Sequence, residues 1–454
     1  MHSFRALFPV LFTAFLSQGA VPPKPITLND DGAWCWFQDE RAVVLGGTLI
    51  AGSIAAGTRD AARRGDVEVV TFEFATGRQT RTELHDRLLT SREVYDDHNA
   101  PAFFIRPDRR ILAVYSMHGP ENRFYYRISE RDDPTRWSPE KHFIPTPGSR
   151  ITYSNLHFLA KENGGKGRLY NFYRGLDNSF KPSYAFSDDL GETWQSGNIV
   201  IDVPSGFRHR PYAKYASNGQ DTIHLFYTEA HPRDFDNSTY HVFYKDGNLH
   251  RSGGSLLRSL KEGLRKPEEG TRIFQGDPDN VAWVSDIHLD SAGHPYVAYT
   301  VQKDSAGLPG GKGGMDLRYR YARWTGTEWR DYEIAHAGSR LYPGEDDYTG
   351  NIALHPDDPD SVVISTNADP VSGKPLVSSK DNQRHYELFR GVTKDGGRTW
   401  KWTALTPDPV EDHLRPIIPH APGGRTALLW LKGVYRTYTN YDLSVMLLYL
   451  AGRP

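Results

Sequence analysis

Hydrophobic and polar positions alternate along this chain in short runs. Long amphipathic helical stretches are nearly absent, and Ser255–Leu264 is the only segment that reads as a short helix. What recurs is a hairpin: a polar entry, an apolar run, a turn rich in Gly, Asp or Pro, a second alternating run and a polar exit. The second runs stack as Ile111–Tyr115, Leu169–Tyr173, Ile223–Tyr227, Tyr296–Tyr299, Val362–Ser365 and Ala427–Trp430, starting 58, 54, 73, 66 and 65 residues apart. Ala42–Leu45 and Leu49–Ile54 supply one more hairpin near the N-terminus. One hairpin cannot cover both faces of its sheet, so a strand repeat of this length predicts stacked four-stranded blades. Seven blades of about 62 residues account for residues 20–454, and the predicted fold is all-β, a single seven-bladed β-propeller.

A second repeat supports the first. Ser187-Asp-Asp189-Leu-Gly191-Glu-Thr193-Trp194 and Thr393-Lys-Asp395-Gly-Gly397-Arg-Thr399-Trp400 share the pattern S/T-x-D-x-G-x-T-W, with degraded copies at Arg136-Trp137 and Glu328-Trp329. The Asp is suited to cap a tight turn, the Gly to take a positive φ and the Trp to pack between blades. This is the Asp-box, or BNR, signature of sialidase-like propellers. It marks fold rather than chemistry, and its aspartates are expected to be structural.

Composition narrows the partners. Lys+Arg 54 against Asp+Glu 56 leaves a formal charge of −2, which excludes a nucleic-acid binder driven by bulk charge. Residues 1–19 carry a short basic start, an apolar run from Ala6 to Leu16 and Ser17-Gln18-Gly19. That run is shorter than the roughly 20 residues a membrane span needs and reads as a secretory signal. A secreted or periplasmic protein is expected, with no membrane association after cleavage. The single Cys35 has no partner for an internal disulfide, so a large core must hold the mature chain, which is expected to be a monomer.

In a propeller the open ends of successive inner hairpins meet above the axis. The first of these hairpins places His98 and His118 equidistant from Asp108, facing each other, with Asn99 alongside. The next places Tyr153 opposite Arg174, with Asn155 two residues on, and the third brings Arg210, Tyr212, Glu229 and His231. Later hairpins pair Asp286 with Gln302, Tyr348 with Asn367, and Arg415 with Lys432. His98, His118, Tyr153 and Arg174 are the candidate catalytic group; Asn99, Asn155, Arg210, Tyr212, His231, Tyr348 and Arg415 are candidate sugar contacts.

These residue types suit β-elimination across a 4-linked uronate. A cation neutralises the carboxylate and acidifies C5–H, a base removes that proton, and an acid protonates the departing O4. Arg174 offers the clamp, His118 or His98 a base near neutral pH, and Tyr153 an acid, or a base if Arg174 lowers its pKa. Two other readings stay open. Glycoside hydrolysis, rhamnosidase- or sialidase-like, would use two carboxylates drawn from Glu345-Asp346-Asp347, Glu229 and Asp286. A propeller that only binds carbohydrate would use no catalytic group at all.

Gly32–Arg41, Tyr244–Asn248, Arg415–Pro419 and Leu429–Tyr435 carry a resemblance to the BNR-repeat propeller family that includes ulvan lyases and rhamnose–glucuronate lyases. The resemblance implies a seven-bladed propeller with an axial active site, two His about twenty residues apart, and a downstream Tyr/Arg pair. It implies elimination at a uronate bonded to rhamnose in an acidic, possibly sulfated polysaccharide, with no cofactor needed for the chemistry. It also allows a structural Ca²⁺ or Zn²⁺, for which Cys35 with a remote His is a candidate. Tyr153 and Arg174 are further apart than the family spacing, and Lys161–Gly167 reads as the insertion that absorbs the difference.

Overall fold

In a computed structural model, which describes residues 24–87, 95–146, 148–176, 180–202, 211–303, 308, 311–421 and 426–450, seven antiparallel sheets form the blades. Strands follow chain order outward from the axis. Blade 5, for example, runs Val281–Leu289, Pro295–Gln302, Leu317–Trp324 and Trp329–Gly338. First strands of consecutive blades pack against one another, which is what places their open ends around one mouth. Every second run identified by its hydrophobic pattern is the second strand of a blade. The expected signal segment and Arg210 lie outside the described residues.

Ring closure joins the two chain ends. Ile26–Asn29 adds to Asn440–Leu450 as the outermost strand of blade 7, with Ile26 opposite Leu447. Backbone hydrogen bonds between the ends tie the last blade to the start of the chain and so fasten the ring. The two intact boxes fold alike: Asp189 Oδ1 accepts from Thr193 N at 2.9 Å and Asp395 Oδ1 from Thr399 N at 2.9 Å, on outer turns. Gly191 and Gly397 take φ of 90° and 99° there. Trp194 meets Phe124 of the preceding blade at 5.2 Å, and Trp400 meets Tyr321 at 5.4 Å, so each box pins a blade to its neighbour.

Ser255–Leu264 is not a helix. Its core, Leu256–Ser259, is a strand that extends blade 4 by pairing Arg258 with Leu249. Leu256 is 63% exposed while Leu260 and Leu264 are buried, so the apolar spacing serves a strand and the turn that follows it. Among the described residues no helix is long and apolar enough to cross a membrane.

The stretch 32–41 fills the propeller axis. Asp39 N donates to Ser154 O of blade 3, and Trp36 Nε1 donates to Val284 O of blade 5. Lys214 of blade 4 donates to Trp36 O at 2.5 Å, and Arg415 of blade 7 to Trp34 O at 2.6 Å. Trp36 packs on Trp283 and Tyr348 at 5.2 and 4.9 Å, and Phe37 packs on Tyr153 and Tyr212 at 5.4 and 4.8 Å. Residues Ala33–Phe37 are buried. The channel is therefore stoppered by apolar rings, and the mouth above it has a floor.

Candidate active site

The two histidines meet as the strand register requires. Ala102 pairs with Val114, and continuing that antiparallel register to the open end sets 98 against 118. The rings stack at 4.0 Å with 13° between their planes. His98 sits in a short 3-10 turn, Asp97–Asn99, capped by Asp96, rather than on the strand itself. Asn99 is buried and its Oδ1 accepts from His118 N at 2.8 Å, so it positions His118.

Asp96, which the sequence pattern did not single out, organises the pair. Its Oδ1 lies 2.7 Å from His98 Nδ1, and its Oδ2 lies 2.9 Å from His118 Nδ1. One carboxylate accepting from both Nδ1–H groups leaves each Nε2 as the reactive nitrogen, and it holds both rings in one tautomer. Burial pushes the Asp96 carboxyl upward, but the two imidazoles outweigh it and hold the group well below the usual carboxylate range. Burial disfavours charge on His98 too, yet Cys35, Tyr153, Asp96 and Asp97 around it lift it well above an ordinary imidazole. His118 moves the other way, lowered by burial and by His98. Stacked rings sharing one anion thus divide into a charged His98 and a neutral His118.

Tyr153 and Arg174 complete the group. Thr152, not Tyr153, pairs with Arg174, because a bulge between Thr152 and Asn155 shifts the register. Tyr153 takes a φ of 68°, a strained setting for an aromatic residue, and its ring lies 5.7 Å from His98 and 5.9 Å from His118. The Arg174 guanidinium lies between the Tyr153 and Tyr212 rings, 4.7 and 4.4 Å from their centroids. Its Nε and Nη1 are buried without hydrogen-bond partners, and no carboxylate pairs with it among the described residues. Burial lifts Tyr153 well above an ordinary phenol despite Arg174 and His98 nearby, so the hydroxyl stays protonated and is an acid rather than a base.

Other candidates divide. Tyr212 and His231 reach the group: His231 packs on Tyr212 and Trp283 at 5.5 and 4.9 Å. Tyr348 packs on Trp283 at 5.2 Å. Tyr438, a turn residue with no spacing signal, stands edge-on to His98 at 5.0 Å and to His118 at 5.8 Å. Asn155 and Arg415 belong below the mouth. Asn155 donates to Phe172 O at 3.1 Å and is 3% exposed. Arg415 is 0% exposed and bonded to Asp97, to Tyr435 at 2.7 Å and to Trp34 O, so it is a structural cation rather than a sugar contact.

The remaining hairpin pairings shift as well, each displaced by a bulge or an irregular strand start. Gln302 faces Val281 and Asp286 faces Ala298, Lys432 faces His413, and Tyr348 precedes its strand. Asp286 consequently lies toward the hairpin-turn end of the axis, with Glu40, Arg41 and His420 around a separate cavity. Glu229 accepts from Ser238 N and Tyr240 Oη, both at 2.7 Å. Burial pushes Asp347 up to about 8, where it accepts from Gln302 at 3.0 Å. Glu345 accepts from Arg233 at 2.7 Å. The carboxylates available for a hydrolytic pair are thus dispersed or already engaged.

Two sets of side chains come within metal-ligand reach of one another, Cys35 with Asp97 and His98, and Asp96 with His98 and His118. Neither fits a structural Zn²⁺ or Ca²⁺. Both depend on His98, whose Nδ1 already faces Asp96 and Asp97 at 2.7 and 3.0 Å. Each offers three donors, short of a closed tetrahedron and far short of the six to eight oxygens calcium takes.

Among curated proteins none matches the sequence. Among solved structures, a PL25 ulvan lyase bound to -[GlcA(1-4)Rha3S]- is similar, with a TM-score of 0.67, 17% identity, and 94% of this chain and 96% of that one covered. The polysaccharide lyase Uly1 follows with a TM-score of 0.59, 14% identity, and coverage of 95% and 100%. At such identities the likeness shows a shared propeller fold. A family model described as BNR repeat-containing matches residues 50–337. With that match over more than half its length, the chain belongs to the BNR repeat-containing family.

Proposed function

We propose that this protein is a polysaccharide lyase that cleaves a rhamnose- and glucuronate-containing polymer by β-elimination at the uronate, acting as an exported monomer and needing no cofactor for the chemistry. The observation that carries this is Arg174: a guanidinium clasped by two tyrosines, with no carboxylate pairing with it among the described residues, beside a histidine pair tied by Asp96. A half-buried guanidinium whose Nε and Nη1 are enclosed without partners is costly unless a ligand supplies one, and a uronate carboxylate matches its fork. The fold likeness to a lyase seen with -[GlcA(1-4)Rha3S]- supports the same substrate class.

Each role follows from the electrostatics. Arg174, with charged His98 behind it, neutralises the carboxylate and so acidifies C5–H. Neutral His118 keeps a free Nε2 lone pair and takes the C5 proton. Electrons from C5–H form the C4=C5 double bond, the C4–O4 bond breaks, and the Tyr153 hydroxyl gives its proton to O4. Tyr212, His231 and Tyr348 line the adjoining sugar positions. Incubation with ulvan or a gum-arabic-type polymer is expected to raise ultraviolet absorbance from the unsaturated uronate. Reducing ends released without that absorbance would move the assignment to a hydrolase; binding with no bond broken would make the protein a carbohydrate-binding propeller.

A further inference from the structure

A cavity of about 220 Å³ occupies the hairpin-turn end of the axis, and the elimination proposed above makes no use of it. The Trp36 and Phe37 rings, packed on Trp283, Tyr348, Tyr153 and Tyr212, separate it from the mouth. Asp39, Glu40 and Arg41, the end of the stopper, line it together with Asp286 and His288 of blade 5 and Ile418, which follows the first strand of blade 7. His420, exposed and 2.6 Å from Asp357 through Nδ1, stands on its outer rim.

Both signs of charge line this space without pairing to each other. Asp39 is served by Lys214, whose ammonium is fully buried against it. Arg41 is 8% exposed and only loosely held: Nε stands 3.5 Å from Asp39 Oδ1, and Nη1 donates to Cys35 O at 3.5 Å. Its Nη2 makes no hydrogen bond among the described residues and is not sealed by protein, which leaves it open to the cavity. Glu40 is half-buried, and its carboxylate has no hydrogen bond or ion pair among the described residues. Asp286 is buried and fixed by two backbone donors, Ile287 N at 3.0 Å and Leu354 N at 2.9 Å, with His288 Nε2 3.7 Å away. Burial, then the Asp39 and Asp286 charges, push the Glu40 carboxyl upward, so a cation entering the cavity would be needed to hold it ionised.

The donors are too scattered for a metal ion. Among the described residues, only the two sets around His98 bring three such side chains within ligand reach of one another. An open guanidinium nitrogen and an open carboxylate in one enclosed space instead match a ligand that carries both charges. We propose that this cavity binds a small zwitterion with the chemistry of a free α-amino acid. Its carboxylate would lie on Arg41, its ammonium between Glu40 and Asp286, and its carbon skeleton toward Ile418.

Titration calorimetry on the full chain, with no polysaccharide present, tests this with L-alanine, ethylammonium chloride and sodium propionate at matched ionic strength. Alanine is expected to bind, and each half-molecule to bind at least about tenfold more weakly, because it lacks one charged hydrogen-bonding end. Glu40→Gln keeps the shape and relieves the repulsion from Asp39 and Asp286. It should melt no lower than wild type and weaken alanine by about tenfold. Arg41→Lys keeps the charge and loses the fork, so it should weaken alanine and leave the weak ethylammonium binding unchanged. Ethylammonium binding as tightly as alanine would make this a plain cation pocket, and propionate doing so a plain anion pocket; either overturns the zwitterion. So would no heat from alanine, or equal affinity for it in wild type and Glu40→Gln.

Discussion

Arg174 and Arg415 are two cations packed on aromatic rings near the same axis, and their partners differ. Arg415 lies 4.4 Å from the Tyr435 ring and 5.1 Å from Trp36, bonded to Asp97 and Tyr435 with no exposure. Arg174 lies 4.4 Å from Tyr212 and 4.7 Å from Tyr153, and no carboxylate pairs with it among the described residues. The consecutive residues Asp96 and Asp97 divide the same way. Asp96 faces the mouth and ties two imidazoles together; Asp97 faces the core and neutralises Arg415. On the proposed lyase reading, the same residue types serve chemistry where the counter-charge is left for a ligand, and stability where the protein supplies it.

The comparison breaks most sharply at Asp96. Asp96→Asn can accept from only one imidazole, so the other loses its tautomer, and kcat/KM is expected to fall by about 10⁴ while the melting temperature barely moves. A loss below tenfold in steady-state assays would mean that the histidines do not depend on this carboxylate. Arg174→Ala should cost about 10³ in kcat/KM, and Arg174→Lys should restore little, since an ammonium lacks the bidentate fork.

Arg415→Ala should act on the other side of the divide. It leaves Asp97 charged and enclosed, so denaturant unfolding should show a loss of about 3–5 kcal/mol. Any surviving folded enzyme should keep the wild-type KM; a raised KM with unchanged stability would return Arg415 to the sugar contacts.

A pH profile sharpens the division between the two histidines. His118 must be neutral to act, and its pKa is lowered, so kcat/KM should climb on an acid limb centred below the ordinary imidazole range of about 6.5. His98 must be charged, and its pKa is raised, so activity should fall on an alkaline limb above that range. Asp96 raises both groups; in the residual activity of Asp96→Asn both limbs should shift toward lower pH. The smallest effect belongs to the outer turns. Asp395→Ala should lower the melting temperature only slightly and leave turnover unchanged, because its carboxylate only ties the turn to Thr399.

Much of this was legible in the chain. The alternating runs and the spacing between them determine seven blades, because strand period and blade packing are local and repetitive. Equal distances from the Asp108 turn were enough to oppose His98 and His118, since an antiparallel register carries a fixed sum of residue numbers. Bulges broke that arithmetic elsewhere, as at Tyr153 and Asp286, because one extra residue resets a register without leaving a trace in composition.

What only the tertiary structure decided is which polar groups already have partners. Asp96 reaches His118 across the hairpin, Asp97 reaches Arg415 from blade 7, and Tyr438 arrives from the last blade to wall a site begun by the second. Residues 32–41 read as a family stretch in the sequence, and only their hydrogen bonds to six blades reveal them as the stopper under the mouth. Periodicity reports local geometry, which each residue expresses with its near neighbours. Charge pairing and burial depend on groups hundreds of positions apart, and those distances exist only once the ring has closed.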